Sequence, residues 1–321
     1  MTLFQSVDKL IENISVTDRQ EDSIDCSFNN LKISLLKENS NLKIEDVFLN
    51  GSYERDTIIR PLDDIDLFAV IPFEEYEDNG LEPKPQTVLS KFKNYLNGLS
   101  DYKDKVKQDR PCVTVVLCDK NFDVLPTLKK NGSYYIPNTD LSGWVYTDPK
   151  THTDNLNRVN KNRNYRVKSI VKAVKYWKRE NNYSIPSFHV EEVAVGIFGL
   201  YNFINLEEGI RMWFKYAENY LDSTRFKTYN EYSKMKEKIQ AIQEKLTEAK
   251  KLYDDKKEGE AKRLWKEVFG KEFPALDTEE AKSFSKSLSE GTLKYGSTSG
   301  LSTSVGSAIA ASKGFYGEQI H

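Results

Sequence analysis

The sequence predicts a mixed α/β unit followed by an all-helical one, and three observations carry that prediction. Ile65–Ile71 (IDLFAVI) is a near-continuous apolar run, the mark of a strand buried on both faces. Val113–Cys118 and Phe122–Pro126, separated by Asp119-Lys120-Asn121, have the pattern of a β-hairpin with a polar turn. After Thr147-Asp148-Pro149 the strand signals stop, and apolar residues recur only at helical spacing.

The first helix expected spans Thr17 to Lys37, with Ile24, Phe28, Leu31 and Leu35 on one face. Ile44–Asn50 reads as a short strand ending at Gly51, and the buried strand at Ile65 follows. Val88, Phe92, Leu96 and Leu99 mark an amphipathic helix before the hairpin. Beyond Pro149, Val167, Ile170, Val171, Val174 and Trp177 set one long helix from Asn157 to Asn181. Ser187–Asn205 is apolar nearly all round and is expected as a buried helix. Glu208–Leu221, a Lys/Glu-laced Tyr229–Lys256 and Glu258–Phe269 complete the helical part. The expected division is therefore residues 1–150, an α/β core with an N-terminal helix; 151–282, a helical domain; and 283–321, a Ser/Gly/Ala-rich tail. That composition is typical of a flexible segment, although Ser302–Lys313 has enough alanine for a short docked helix.

Composition narrows the function classes. The 321 residues are 38% hydrophobic, 30% charged and 12% aromatic, an ordinary load for a packed soluble chain. No apolar run is long enough to span a membrane, and the N-terminus lacks the pattern of a signal peptide. Cys26, Cys112 and Cys118 have neither disulfide-framework nor metal-ligand spacing, so a reducing, cytoplasmic setting is expected. Cys112 and Cys118 read as small core residues. A net charge of −2 argues against a non-specific nucleic-acid binder. Locally the charge is uneven: nine Lys and Arg fall between Arg158 and Arg179 with no acid among them, while Asp63, Asp64 and Asp66 cluster elsewhere.

The chemistry concentrates at Gly51-Ser52-Tyr53, ten residues, then Asp64-Ile65-Asp66 opening the buried strand. Residues i and i+2 of a strand point the same way, so Asp64 and Asp66 present paired carboxylates at a strand end. A lone Asp-x-Asp is commonplace on solvated surfaces. Here it runs into a buried strand, where unpaired charge is costly. Asp123, on another strand expected in the same sheet, supplies a third hard oxygen ligand. Such a set selects Mg²⁺ or Mn²⁺, and two ions would serve an in-line phosphoryl displacement. Gly51 and Ser52 suit close backbone approach to a phosphate. Lys168, Lys172, Lys175 and Arg179 form one basic helical stripe. Such a stripe is ordinarily a solvated face, but the missing acids favour an anionic ligand. Ser187, after Pro186 at a helix start, is read either as an N-cap or as a phosphate donor. His152 and His189 read as structural, Glu191 as a tether, and Tyr53 as either a stacking or a packing residue.

These segments resemble a family. GSY–x10–DID–LFAVI followed by FDVLP is similar to the nucleotidyltransferase superfold of DNA polymerase β. WVYTDP with His152, VKAVKYWKRE, IPSFHVEEV and AKRLWKEVFGKEFP narrow the resemblance to the bacterial cGAS-like enzymes, the CD-NTases. The resemblance covers Phe48 to Pro274. It implies a polymerase-β-like palm joined to an all-helical domain, with nucleotide bound between them. It further implies that Asp64, Asp66 and Asp123 hold two Mg²⁺ ions, and that Gly51, Ser52, Lys175 or Lys172, and Ser187 hold the nucleotide. The implied activity is the joining of NTPs into a cyclic di- or trinucleotide messenger that an effector protein reads in antiphage signalling. No stable nucleic-acid template is expected. Control by a regulatory partner or by C-terminal conjugation is open, but the ending Gly-Glu-Gln-Ile-His departs from the small-residue end that conjugation would use. Two alternatives stand beside this reading. One is the same fold with another acceptor (RNA, protein or drug), for which RNA tailing calls for a long basic track. The other is a catalytically silent nucleic-acid or partner-binding module.

Overall fold

The computed structural model describes residues 1–37, 41–62, 64–274, 292, 294–296, 300–302 and 307–308. Two helices, α1 (Leu3–Ile14) and α2 (Asp18–Leu35), precede β1 (Asp46–Leu49), the one-turn α3 (Gly51–Glu54) and β2 (Ile65–Pro72). After α4 (Pro85–Gly98) come β3 (Val106–Asp109), β4 (Cys112–Val116), β5 (Asn121–Lys130), β6 (Ser133–Pro137) and β7 (Trp144–Thr147). The seven strands form one sheet in the order β1-β2-β5-β4-β3, with β6 continuing from β5 and β7 pairing β6. All pairs are antiparallel except β2–β5, and that parallel pair sets Asp66 opposite Asp123. The buried IDLFAVI strand lies between β1 and β5, as its two-sided apolar pattern requires. Its core partners come from α2, α4 and the hairpin: Ile24, Leu31, Phe92, Leu96, Val113 and Val124 among them.

The second core is helical. It is built by α5 (Pro149–Asn162), α6 (Val167–Glu180), α7 (Ser187–Leu200), α8 (Leu206–Tyr216), α9 (Tyr229–Asp254) and α10 (Glu258–Phe269). Trp177, Trp213, Phe214, Trp265 and Phe269 fill it. The mixed α/β palm with an all-helical second lobe is the fold the sequence predicted.

Several boundaries differ. The long helix expected over Asn157–Asn181 is two helices, α5 and α6. Asn164 and Tyr165 take left-handed backbone conformations between them. The buried Asn160 side chain accepts from the Val167 and Lys168 amides, which replaces the hydrogen bonds that a continuous helix would make. The helix expected to reach Asn205 stops at Leu200, and β3, β6 and β7 add strands beyond those expected. The N-terminal α1 does not join the α/β core of residues 1–150. It buries Leu3, Val7, Leu10 and Ile14 in the helical lobe, beside α6, α8 and α10. Cys112 is buried, but Cys118 is exposed rather than a core residue. In the tail, the short β8 (Lys294–Gly296), β9 (Gly300–Ser302) and β10 (Ser307–Ala308) pair antiparallel in the order β10-β8-β9, although no strand period was legible there. The rest of the tail, including most of Ser302–Lys313, lies outside the described residues, as does Asp63.

Candidate active site

Asp66 is the second residue of β2, and its carboxylate rests against Gly51. A Cβ at Gly51 would fall 1.9 Å from Asp66 Oδ2, and the backbone there has φ +71°. Glycine is required on both counts. Asp66 and Asp123 face each other across the parallel pair. Thr114 of β4, opposite Asp123 on its other side, donates to Asp123 Oδ1 at 2.6 Å. Burial pushes the Asp66 carboxyl up to about 6, with the Asp123 charge adding to it and Arg55 opposing it. Asp123 is also raised by burial; Thr114 works against that, and the Asp64 charge reinforces it.

Asp64 stands just before β2 and accepts from Asn121 Nδ2 at 2.8 Å. The structure thus brings Asp66 and Asp123 together with Asp64 in electrostatic reach. Among the described residues, however, no three acidic, histidine or cysteine side chains gather closely enough to enclose a metal ion. The donor chemistry still fits a hard divalent cation: two partly desolvated carboxylates repel each other, and a cation would remove that penalty.

Ser52 follows Gly51 and lines a cavity of about 270 Å³ with Thr57, Ile58, Ile59, Lys175, Lys178, Arg179, Asn182, Tyr183 and Ser187. The cations on its wall come from α6, and Ser187 is the first residue of α7, whose free amides open there. Ser187 is not the N-cap of α7. Pro186 holds that position, and Ser187 Oγ accepts from Lys178 Nζ at 2.8 Å. Lys175, the first choice for a phosphate cation, is 5% exposed and bonded to Glu191 Oε1 at 2.6 Å and Thr57 Oγ1 at 2.9 Å. Lys172, the second choice, donates to Asp56 Oδ1 at 2.6 Å and does not line the cavity. Lys178, one turn beyond Lys175, is the lysine that meets Ser187 at the cavity wall. The helical stripe assembled from Lys168, Lys172, Lys175 and Arg179 had passed it over.

The remaining candidates resolve into structure. His189 is buried, with Nδ1 2.9 Å from Glu192 and Nε2 accepting from the Asp222 amide. His152 packs edge-on against Phe188. The Tyr53 hydroxyl donates to Asp25 at 2.9 Å. Burial and that acidic neighbour raise its ionisation well above the ordinary tyrosine range.

Residues 1–160 match the family of the Second Messenger Oligonucleotide or Dinucleotide Synthetase (SMODS) domain. The chain is 27% identical over 303 residues to a cyclic AMP-AMP-AMP synthase of Acinetobacter sp., an alignment covering 85% of this chain and 86% of that protein. Among solved structures, it superposes on CdnC of E. coli MS115-1, in its complex with HORMA-deltaN, with a TM-score of 0.69 at 17% identity. That match covers 85% of this chain and 98% of the other. It superposes on the Vibrio cholerae cyclic AMP-GMP synthase DncV, solved with a linear intermediate, with a TM-score of 0.67 at 13% identity. There the coverage is 86% and 97%.

Proposed function

The chain is a bacterial cGAS-like nucleotidyltransferase, and from that premise we propose how it joins nucleoside triphosphates into a cyclic oligonucleotide with release of pyrophosphate. One observation carries the assignment of roles. The Asp66–Asp123 pair and the Lys178–Ser187 wall are joined through the single turn Gly51-Ser52, whose glycine packs on Asp66 and whose serine lines the cavity. A carboxylate pair and a cationic phosphate seat are thereby fixed side by side.

Asp66 and Asp123 would hold Mg²⁺ or Mn²⁺, with Asp64 as the neighbouring third carboxylate. The ion would supply Lewis-acid stabilisation of the charge that develops during phosphoryl transfer. Ser52, the α7 amides, Ser187 and Lys178 bind and orient the triphosphate. Asp123, beside the ion, would accept the proton of the attacking hydroxyl. ATP is the first substrate to test, since the Acinetobacter relative is named for an all-AMP product. The proposed setting is antiphage signalling, in which an effector reads the cyclic product.

The test is to incubate purified protein with labelled ATP, alone and with the other NTPs, in Mg²⁺ or Mn²⁺. Products are then treated with phosphatase and resolved. A phosphatase-resistant cyclic product is expected. Label found only on added RNA, or only in linear products, would overturn the proposal in favour of another acceptor.

A further inference from the structure

The roles above leave Glu191 of α7 without a task, yet it is 3% exposed and among the most heavily bonded side chains of the chain. Arg55 Nε donates to its Oε2 at 2.6 Å. Thr57 Oγ1 and Lys175 Nζ both donate to its Oε1 at 2.6 Å, and Lys175 also donates to Thr57 Oγ1 at 2.9 Å. Three elements meet on this one carboxylate: the segment after α3, then α6, then α7.

Thr57 and Lys175 line the cavity themselves, and every member sits a turn or a short loop from another residue that does. Lys175 is three residues before Lys178, and Glu191 is four after Ser187. Arg55 and Thr57 follow Ser52, whose carbonyl accepts from the Thr57 amide at 2.8 Å. The Arg55 guanidinium also lies 5.3 Å from the centre of the Phe188 ring, next to Ser187. A buried ion pair is weak evidence for stability, because well-packed apolar side chains can do as well in its place. What apolar side chains do not supply is a fixed, directional distance between separate elements.

We propose that Glu191 is a positioning residue. By clamping the Gly51–Thr57 segment to α6 and α7, it sets the gap between the carboxylate pair on the sheet and the phosphate seat on the helices. The inference rests on the nucleotidyl-transfer reading above. Reacting groups displaced by about 1 Å lose on the order of a hundredfold in rate, so a loosened clasp should slow chemistry more than it weakens binding.

Glu191→Gln and the charge-balanced double variant Glu191→Gln/Arg55→Met, which leaves every residue lining the cavity in place, are to be compared with wild type. The readouts are the thermal midpoint, affinity for an ATP analogue with a methylene between the α- and β-phosphates, and kcat per folded molecule. Glu191→Gln is expected to lower the midpoint and to lower kcat by roughly thirtyfold to a hundredfold, with affinity within about threefold. In the double variant the midpoint should recover while kcat stays low. If kcat returns with the midpoint, Glu191 serves stability only and the proposal fails. It fails equally if kcat of Glu191→Gln stays within about threefold of wild type, or if affinity falls as far as kcat. Should Glu191→Gln not fold, Thr57→Val removes one clasp hydroxyl and keeps both ion pairs. A kcat about fivefold to tenfold lower at unchanged affinity is then expected, and wild-type kcat would overturn the proposal. Wild-type protein is the control that separates the two readings: no product from it overturns the transferase assignment and this inference together, whereas an active wild type with an unaffected variant overturns this inference alone.

Discussion

A half-buried carboxylate pair and a fully buried single carboxylate lie on either side of the same turn, and they meet opposite electrostatic fates. At the sheet, Asp66 is pushed up to about 6, because burial and the facing Asp123 both disfavour its charge. At the helices, Glu191 suffers a burial penalty too, yet Lys175 and Arg55 outweigh it and hold the carboxyl below its usual range. Desolvation acts in the same direction in both places. The neighbours differ: at Asp66 the acids Asp123 and Asp64 outweigh the pull of Arg55 and Lys175, while Glu191 is hydrogen-bonded directly by both cations and by a hydroxyl. A carboxylate set with unbalanced charge is suited to receive a cation from outside. One whose two oxygens are each already met by a cation has no call for a further one and holds its surroundings in place.

The comparison breaks most visibly if the unbalanced set is removed. Asp66→Asn with Asp123→Asn should abolish product formation, by on the order of 10³-fold or more, while the thermal midpoint stays equal or rises because like-charge repulsion is gone. Turnover within tenfold of wild type would show that these carboxylates are not the ion-holding set. A smaller effect sharpens the other side of the turn. Lys178→Ala should raise the KM for ATP about tenfold, the loss expected for one charge-assisted hydrogen bond to phosphate. Lys172→Ala should stay near wild type, since its partner Asp56 is solvent-exposed. The reverse result would move the phosphate seat to the Asp56 side of α6.

The smallest effect is in pH. With metal removed by EDTA, Asp66 ionises at about 6 in the folded chain and near 3.8 when unfolded. Between those values the folded state holds a proton that the unfolded state has lost. This group's contribution to stability therefore falls as pH rises from about 4 to 6 and then levels. The midpoint of Asp66→Asn minus that of wild type should grow by a few degrees over that range. A difference that is flat or shrinks with pH would contradict the unbalanced charge.

Much of the sheet side was legible in the sequence, because it depends on local pattern. The apolar run after Asp66 demanded a two-sided strand, and the hairpin pattern put Asp123 on another strand of the same sheet. The residue-by-residue pairing of Asp66 with Asp123 was not legible, since a parallel register is fixed by the whole sheet. The helical side was harder. Periodicity identified a basic face on α6, but which lysine turns inward is decided by Glu191, 16 residues later on a different helix. The helical spacing that begins at Val167 was carried back to Asn157 across the polar run Asn160–Asn164, so the break at Asn164–Tyr165 was missed. It depends on one buried amide, Asn160, capping the next helix. Glu191 itself read as a tether, but not which elements it joins.

The placement of α1 bears on how the chain is made. Leu3, Val7, Leu10 and Ile14 belong to a core whose other members begin at Leu156 and Val159 apart from Ile59, and Asn13 Nδ2 reaches the Glu272 carbonyl at 2.9 Å. During synthesis α1 therefore leaves the ribosome roughly 150 residues ahead of α6, a wait on the order of ten to thirty seconds at ~5–20 residues per second. The sheet can assemble in that interval, but α1 must keep an apolar face uncovered until the last helices arrive. The vulnerable species is thus a nascent chain with a finished palm and an orphaned first helix. Chaperone occupancy during translation should concentrate on that helix rather than on the strands.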